Sequence, residues 1–224
     1  MEETFLNVFD ILGPVMIGPS SSHTAGAARL GLVALKLLGE PVSNAQILFH
    51  GSFAKTYKGH GTDKAVIAGI MGMTTDDTRI RYAYEIAKER DINITINTAE
   101  FDGVHPNTAQ INLTGINGNN VSLLGSSIGG GNILVTKVNG LDVSLTGQYT
   151  TLIVLHKDTQ GVIAAVTEVL SDAGVNICNF KLSRQHKGGK AVMTIEMEGN
   201  FDNKLNDKIK TLPNIISSTM LLPV

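Results

Sequence analysis

The sequence predicts an α+β chain in two parts, an N-terminal α+β domain at residues 1–147 and a βαββαβ domain at residues 148–224. Three observations carry that prediction. The last part shows strand, helix, strand, strand, helix and strand signals in turn, a complete small domain in about 75 residues. The first part mixes segments of helical period with short strands, and a Gly-rich run of strands and turns joins the two. Of the 224 residues, 42% are apolar and 17% charged, which suits a globular chain with a buried core rather than a disordered one.

The elements follow in order. "AGAARLGLVALKLLG" carries apolar residues at helical spacing and stops at Gly39, so a helix is expected to begin at about Thr24. "AQILFHG" reads as a strand, and "TDKAVIAGIMG" as a short helix with Thr62 at its N-cap. "TTDDTRIRYAYEIAKER" is a third helix capped by Thr75 or Asp76, and "NITINT" and "AQINLTG" are strands. The stretch from Gly115 to Gly140 reads as short strands punctuated by glycine turns. The boundary falls near Gly147, in "SLTGQYT". Beyond it come the strand "TLIVLH", an amphipathic helix closed by Gly174, the strand "VNICNFKLSR" and a turn at "QHKGGK". The strand "AVMTIEME", a helix from Asn203 to Lys210 and the strand "IISSTML" complete a ferredoxin-like arrangement.

Composition excludes several function classes. A net charge of −2 gives no electrostatic reason to bind nucleic acid or an acidic membrane surface. No apolar run reaches the ~18 residues of a membrane span, and no basic-then-apolar leader is expected. Cys178 is the single cysteine, so no intrachain disulfide forms and a cytoplasmic setting is expected. One thiolate holds neither an iron–sulfur cluster nor a Cys-rich zinc, so any such cofactor would come with another chain. Cys178 sits among apolar neighbours on a predicted strand and reads as a core residue.

The chemistry-bearing residues gather in polar loops. "GPSSSHTAG" places Ser20, Ser21, Ser22, His23 and Thr24 where a helix leaves its first N–H groups unpaired and favours a carboxylate or phosphate. An over-decorated N-cap is the plainer reading of that turn alone. "KGHGTD" repeats the plan: glycine on both sides exposes the His60 imidazole, a natural proton acceptor, before Thr62 and Asp63. "VHPNT" adds His105 and Asn107, in what is also an ordinary surface turn. "GSSIGGGN" reads either as an anion cradle or as a hairpin with a glycine tip. Together the loops describe a polar pocket for a small anionic ligand with histidine bases. No metal site is expected, because His23, His60 and His105 lack ligand spacing. No G-x-S-x-G elbow occurs.

The segments "NVFDILGPVMIGPSSSHTAGAARLG", "FHGSFAKTYKGHGTDKAVIAGIMG", "FDGVHPNT" and "SSIGGGNI" resemble, collinearly over about residues 5–140, the beta chains of bacterial iron–sulfur L-serine dehydratases. The resemblance implies β-elimination of water from L-serine to give pyruvate and ammonia. It implies a four-iron four-sulfur cluster held by the cysteines of a partner alpha subunit, in keeping with the lone Cys178. Carried over by motif, Ser20, Ser21, Ser22 and Thr24 bind the substrate carboxylate, with Gly61, Thr62 and Asp63 lining the pocket. His60 is the α-proton base with His23 as its rival, His105 and Asn107 support the site, and the glycines at 129–131 shape its wall or the face toward alpha. The N-terminal fold of that family resembles the allosteric substrate-binding domain of phosphoglycerate dehydrogenase.

The remainder resembles an ACT domain, a module that pairs edge to edge and binds amino acids at its first β–α loop. "LHKDTQGVIAAV" resembles the serine-binding loop His-x-Asn-x-Pro-Gly of phosphoglycerate dehydrogenase, with His156, Asp158 and Gly161 at matching places and Asn176 as the other ligand. Asp158 and Gln160 depart from that pattern, and a carboxylate at 158 favours an ammonium or a cation. Self-association through this domain, with serine or a cation as effector, is the expectation. A non-catalytic amino-acid sensor is the alternative function. "SSIGGGN" also resembles a phosphate cup, but pyridoxal-phosphate dehydratase folds need roughly 300 residues, more than this chain offers.

Overall fold

The computed structural model describes residues 16–199 and 201–224, so the part of the first motif at residues 7–15 lies outside the described residues. The elements are α+β throughout, as the sequence predicts. In the first part they are α1 (Gly26–Leu38), β1 (Val42–Phe49), α2 (Gly51–His60), α3 (Thr62–Ile70), α4 (Ala83–Glu89), β2 (Asn93–Thr98), β3 (Thr108–Gly115), β4 (Asn120–Gly129), β5 (Asn132–Val138) and β6 (Leu141–Leu145). The strands form a sheet in the order β2-β1-β3-β4-β5-β6. Two compact units, Met1–Leu134 and Val135–Val224, divide inside β5.

In the first unit β1 pairs parallel with β2 and antiparallel with β3, placing Ile47 beside both Ile96 and Ile111. Ile111 in turn faces Leu123 of β4. Ile47, Ile111 and Leu123 are fully buried together with Leu30 and Val33 of α1 and Val66 and Ile67 of α3. Helices α1 and α3 meet through glycine. A Cβ on Gly31 would collide with the Val66 carbonyl, and one on Gly69 with the Ala28 carbonyl.

Four local expectations are corrected here. The helical backbone begins earlier than Thr24, in a π-helical turn at Ser21–Ala25 capped by Ser20. His60 is not in a loop. It ends α2, a helix the sequence pattern hid because "GSFAKTYKGH" buries only Phe53. Tertiary contacts make that helix: Phe53 and Tyr57 pack on the Phe49 ring at 5.9 and 5.3 Å, and the Ser52 and Phe53 N–H groups donate to the Pro106 carbonyl. Thr62 is accordingly the first residue of α3, with Gly61 (φ 69°) at the cap. In the third predicted helix Asp77 caps a 3₁₀ turn at Thr78–Tyr82, which runs into α4. "GSSIGGGN" is the hairpin: β4 turns into β5 through Gly130 and Gly131, with φ of 58° and 81°.

The second unit adds β7 (Thr150–Lys157), α5 (Val162–Asp172), β8 (Asn176–Arg184), β9 (Lys190–Glu198), α6 (Asn203–Lys210) and β10 (Ile215–Leu221). Their sheet order β10-β7-β9-β8 is the ferredoxin-like arrangement of an ACT domain. Its core joins Leu152 and Val154 of β7, Met193 and Ile195 of β9, Val166 and Leu170 of α5, and Ile209 of α6. The buried Glu196 carboxylate accepts bonds from the Thr146 N–H and hydroxyl, both at 2.7 Å, and from the Asn179 amide at 3.2 Å. Cys178 departs from the core expectation. It is exposed on the edge strand β8, where exposed and half-buried residues alternate without a break from Asn176 to Arg184. Partial burial, then the Glu198 and Glu196 carboxylates, push its thiol above the usual range.

Candidate active site

The site is built where the Ser21–Ala25 turn meets both ends of α2. Ser20 Oγ accepts the His23 N–H at 3.3 Å, and Thr24 N–H donates to the Ser20 carbonyl. A wide π turn needs room around it, which small residues provide: a Cβ on Gly18 would strike the Thr24 side chain, and one on Gly26 the Ser127 hydroxyl. At the start of α2, Gly51 (φ 56°) abuts the Pro106 backbone and Ser52 N–H donates to the Pro106 carbonyl at 2.8 Å. That staples the His105–Asn107 turn to α2. Asn107 in turn accepts the Ser127 N–H through its carbonyl at 2.9 Å.

Two histidines come together in this frame. The His23 and His60 rings lie 4.8 Å apart at 33°, and the Phe53 ring meets His23 edge-on at 5.3 Å. Both His23 nitrogens have hydroxyl partners, Nδ1 with Ser20 Oγ at 3.4 Å and Nε2 with Ser52 Oγ at 3.2 Å. His60 Nδ1 is buried without a partner, as are the hydroxyls of Thr24 and Thr62. Burial, then the neighbouring His60, lowers the His23 pKa below the ordinary 6.5.

The sign of that shift gives a pH dependence. Between the lowered folded value and about 6.5 the unfolded chain binds more protons than the folded one. The His23 contribution to stability is therefore complete above about 6.5 and is lost as pH falls toward the folded value. The melting temperature of the full chain is expected to drop from about pH 7.5 to about pH 5.5, and less so in His23→Gln. Equal slopes in the two proteins would show that His23 is not the titrating group.

The other sequence-predicted residues divide. Ser21 and Ser22 are half-buried on the same turn. Asp63 is buried, but its carboxylate accepts the Lys64 N–H at 2.8 Å and the Tyr84 hydroxyl at 2.9 Å, tying α3 to α4. Burial and that bond raise the Tyr84 phenol well above its usual range. His105 is exposed and accepts the Asn107 N–H at Nδ1. In the second unit His156 is buried, with Nδ1 bonded to the Lys157 carbonyl at 2.7 Å and Nε2 unpartnered. Asp158 accepts the Gly188 N–H and pairs with Arg184, both at 3.0 Å, which together depress its pKa. Its charge is thus already matched within the chain. Gly161 (φ 87°) heads α5 beside this loop. Asn176 lies elsewhere. It pairs across β9 with Glu198, whereas His156 pairs with Ala191, so the two stand about 23 Å apart by strand rise.

Two residues escaped the sequence reading. Ser52 follows a strand and a glycine, a signal that only its spatial neighbour His23 makes meaningful. Arg29 donates from Nη1 to the Gly131 carbonyl at 2.8 Å, while its Nε is buried without a partner. Its signal was visible: α1 carries no acidic residue to pair with it.

A cluster-bearing metal centre does not fit these donors. The one cysteine is exposed on β8, and among the described residues no three His, Cys, Asp or Glu gather to hold a metal ion. No helix of the described residues is long and apolar enough to cross a membrane.

Comparison with known proteins agrees with this architecture. A family model described as "Serine dehydratase beta chain" matches residues 7–99, and one described as "AHAS small subunit-like ACT domain" matches residues 152–217. The probable L-serine dehydratase beta chain of Bacillus subtilis is 45% identical over 217 residues, covering 97% of this chain and 98% of the relative. The L-serine dehydratase beta chain of Peptoniphilus asaccharolyticus is 35% identical over 209 residues, 93% of this chain and 92% of the relative. D-3-phosphoglycerate dehydrogenase of Bacillus subtilis is 24% identical over 196 residues, 87% of this chain but 37% of that protein. With such identity along nearly its whole length, this chain belongs to the serine dehydratase beta chain family and ends in an ACT domain.

Proposed function

We propose that this chain is the proton-handling subunit of an L-serine dehydratase and that His60 is its α-proton base. The observation that carries the reading is the asymmetry of the histidine pair. Hydroxyls engage both nitrogens of His23, while the stacked His60 keeps Nδ1 without a partner. The α-proton of L-serine is weakly acidic and hydroxide leaves poorly, so elimination needs a base at Cα and help for the departing oxygen. His60 takes the proton, the C–H electrons form the Cα–Cβ double bond, and the Cβ–O bond breaks. The departing hydroxide takes up a proton, balancing the one held by His60, so water and aminoacrylate result, and aminoacrylate tautomerises and hydrolyses to pyruvate and ammonia.

Ser20, Ser21, Ser22 and Thr24 grip the substrate carboxylate, with Gly61 and Thr62 opposite. The unpartnered hydroxyls of Thr24 and Thr62 support that role. His105 and Asn107 act from behind, through the turn stapled to α2. Asp63 acts by holding Tyr84 rather than by reaching substrate. The four-iron four-sulfur cluster belongs to a cytoplasmic partner alpha subunit. The N-terminal domain ends near Gly147, and the ACT domain beyond it self-associates. An amino-acid effector would then touch His156, Asp158 and Gly161 of one copy and Asn176 of a second, since one copy keeps them apart.

The experiment is anaerobic co-expression with a Cys-rich partner, followed by a pyruvate assay with L-serine. A brown complex with activity, and an inactive chain alone, is the expected result. An iron-free isolated chain that dehydrates serine would overturn the reading. The likeness to phosphoglycerate dehydrogenase favours a second reading, a non-catalytic sensor. That reading gives the paired histidines no task, and a complex retaining activity without this chain would favour it.

A further inference from the structure

Resting on the reading above, we infer that Ser52 is a positioning residue: it holds His23 Nε2 so that the His23 ring, fixed in orientation, backs His60. Ser52 is itself firmly placed. Its N–H donates to the Pro106 carbonyl at 2.8 Å and its carbonyl accepts the Thr56 hydroxyl at 2.7 Å. The backbone before it turns through Gly51, where any side chain would meet the Pro106 carbonyl. This rigid hydroxyl lies 3.2 Å from His23 Nε2, and Ser20 Oγ stands at the other nitrogen. A neutral imidazole has one N–H and one lone pair, and a hydroxyl can satisfy either. Hydroxyls at both nitrogens therefore hold the ring in place in either tautomer, with its centroid 4.8 Å from that of His60 at 33°. His60 ends a helix at a glycine and has no bond at Nδ1, so this stacked ring is what orients it.

The surroundings leave His23 to these partners. Across α1 the Arg29 guanidinium turns to the Gly131 carbonyl, and on α3 Asp63 turns to Tyr84 and the Lys64 ammonium to the Arg81 carbonyl. On α2, Lys58 lies over the Tyr57 ring, and β4 carries no titratable side chain. After burial, the neighbouring His60 acts on the charge of His23.

The test combines a spectroscopic and a kinetic readout. In long-range ¹⁵N–¹H spectra of the full chain at about pH 7.5, Ser52→Ala is expected to shift the His23 Nε2 signal, which loses its hydroxyl partner, and to leave Nδ1 near its wild-type position. Ser52→Thr should restore the wild-type pattern. In the assembled enzyme, Ser52→Ala should lower kcat by about 10- to 100-fold with little change in KM for L-serine, and Ser52→Thr should recover most of it. Wild-type His23 signals or wild-type kcat in Ser52→Ala would overturn the inference. If Ser52→Ala fails to fold, Ser52→Thr decides, since a shifted His23 Nε2 signal in that folded variant would overturn it equally. Retained turnover in His60→Ala would remove the base assignment instead, while the His23 Nε2 signal would still answer for Ser52.

Discussion

Replacing His60 by alanine in the assembled enzyme is expected to lower kcat for L-serine by about a thousandfold, the share that a positioned base contributes. The same variant should melt within a degree or two of the parent. His60 closes α2, its Nδ1 makes no hydrogen bond, and the helix stop depends on Gly61 rather than on the imidazole. His23→Ala should cost less turnover but more stability, because His23 ties the Ser21–Ala25 turn to Ser52 and packs on Phe53. Pyruvate formation, with melting curves of the same preparations, checks both statements. A His60→Ala enzyme with most of its turnover would move the base to another residue.

The second large effect concerns stability. Gly69→Val is expected to destabilise the N-terminal unit by about 3 kcal/mol, at the upper end for overpacking a close-packed contact. For a unit of this size that corresponds to a melting temperature about 10 °C lower. A Cβ at residue 69 would collide with the Ala28 carbonyl and lie 2.9 Å from the Leu32 nitrogen, and backbone on a packed helix has nowhere to retreat. The reciprocal contact at Gly31, against the Val66 carbonyl and 3.0 Å from the Ile70 nitrogen, leaves no slack on the other side. Gly59→Ala is the matched control. That glycine also sits in a helix, α2, but faces open space, so alanine there should be neutral or stabilising by about 0.5–1 kcal/mol. Calorimetry of the three full-length chains tests the contrast. Similar losses in both variants would mean that helix propensity, not close approach, governs Gly69.

The second unit was the more legible in sequence, and the reason is local. The helix Asn203–Lys210 and the strand Ile215–Leu221 appear at the predicted residues, because period, cap and turn signals agree along a short stretch. Cys178 shows where such signals fail. A strand's alternation says which residues share a face, not whether that face is covered, and on the edge strand β8 Cys178 takes an exposed place like Asn176 and Phe180. The partners of Asp158 were hidden because they are distant in sequence: Arg184 at the end of β8 and the Gly188 N–H lie 26 and 30 positions away.

Residue type and spacing alone establish that histidine, serine and glycine recur in short clusters along the chain, and that no second cysteine exists to hold a cluster. Those are properties of residue type and spacing, and they survive any folding. Which histidine is spoken for was decided by tertiary structure alone. His23 meets Ser52 across 29 positions and His60 across 37, through a helix that residues 51–60 would hardly form in isolation. A hydrogen-bond partner is a matter of ångströms, and only the packing of α2 against Phe49 and Pro106 sets those.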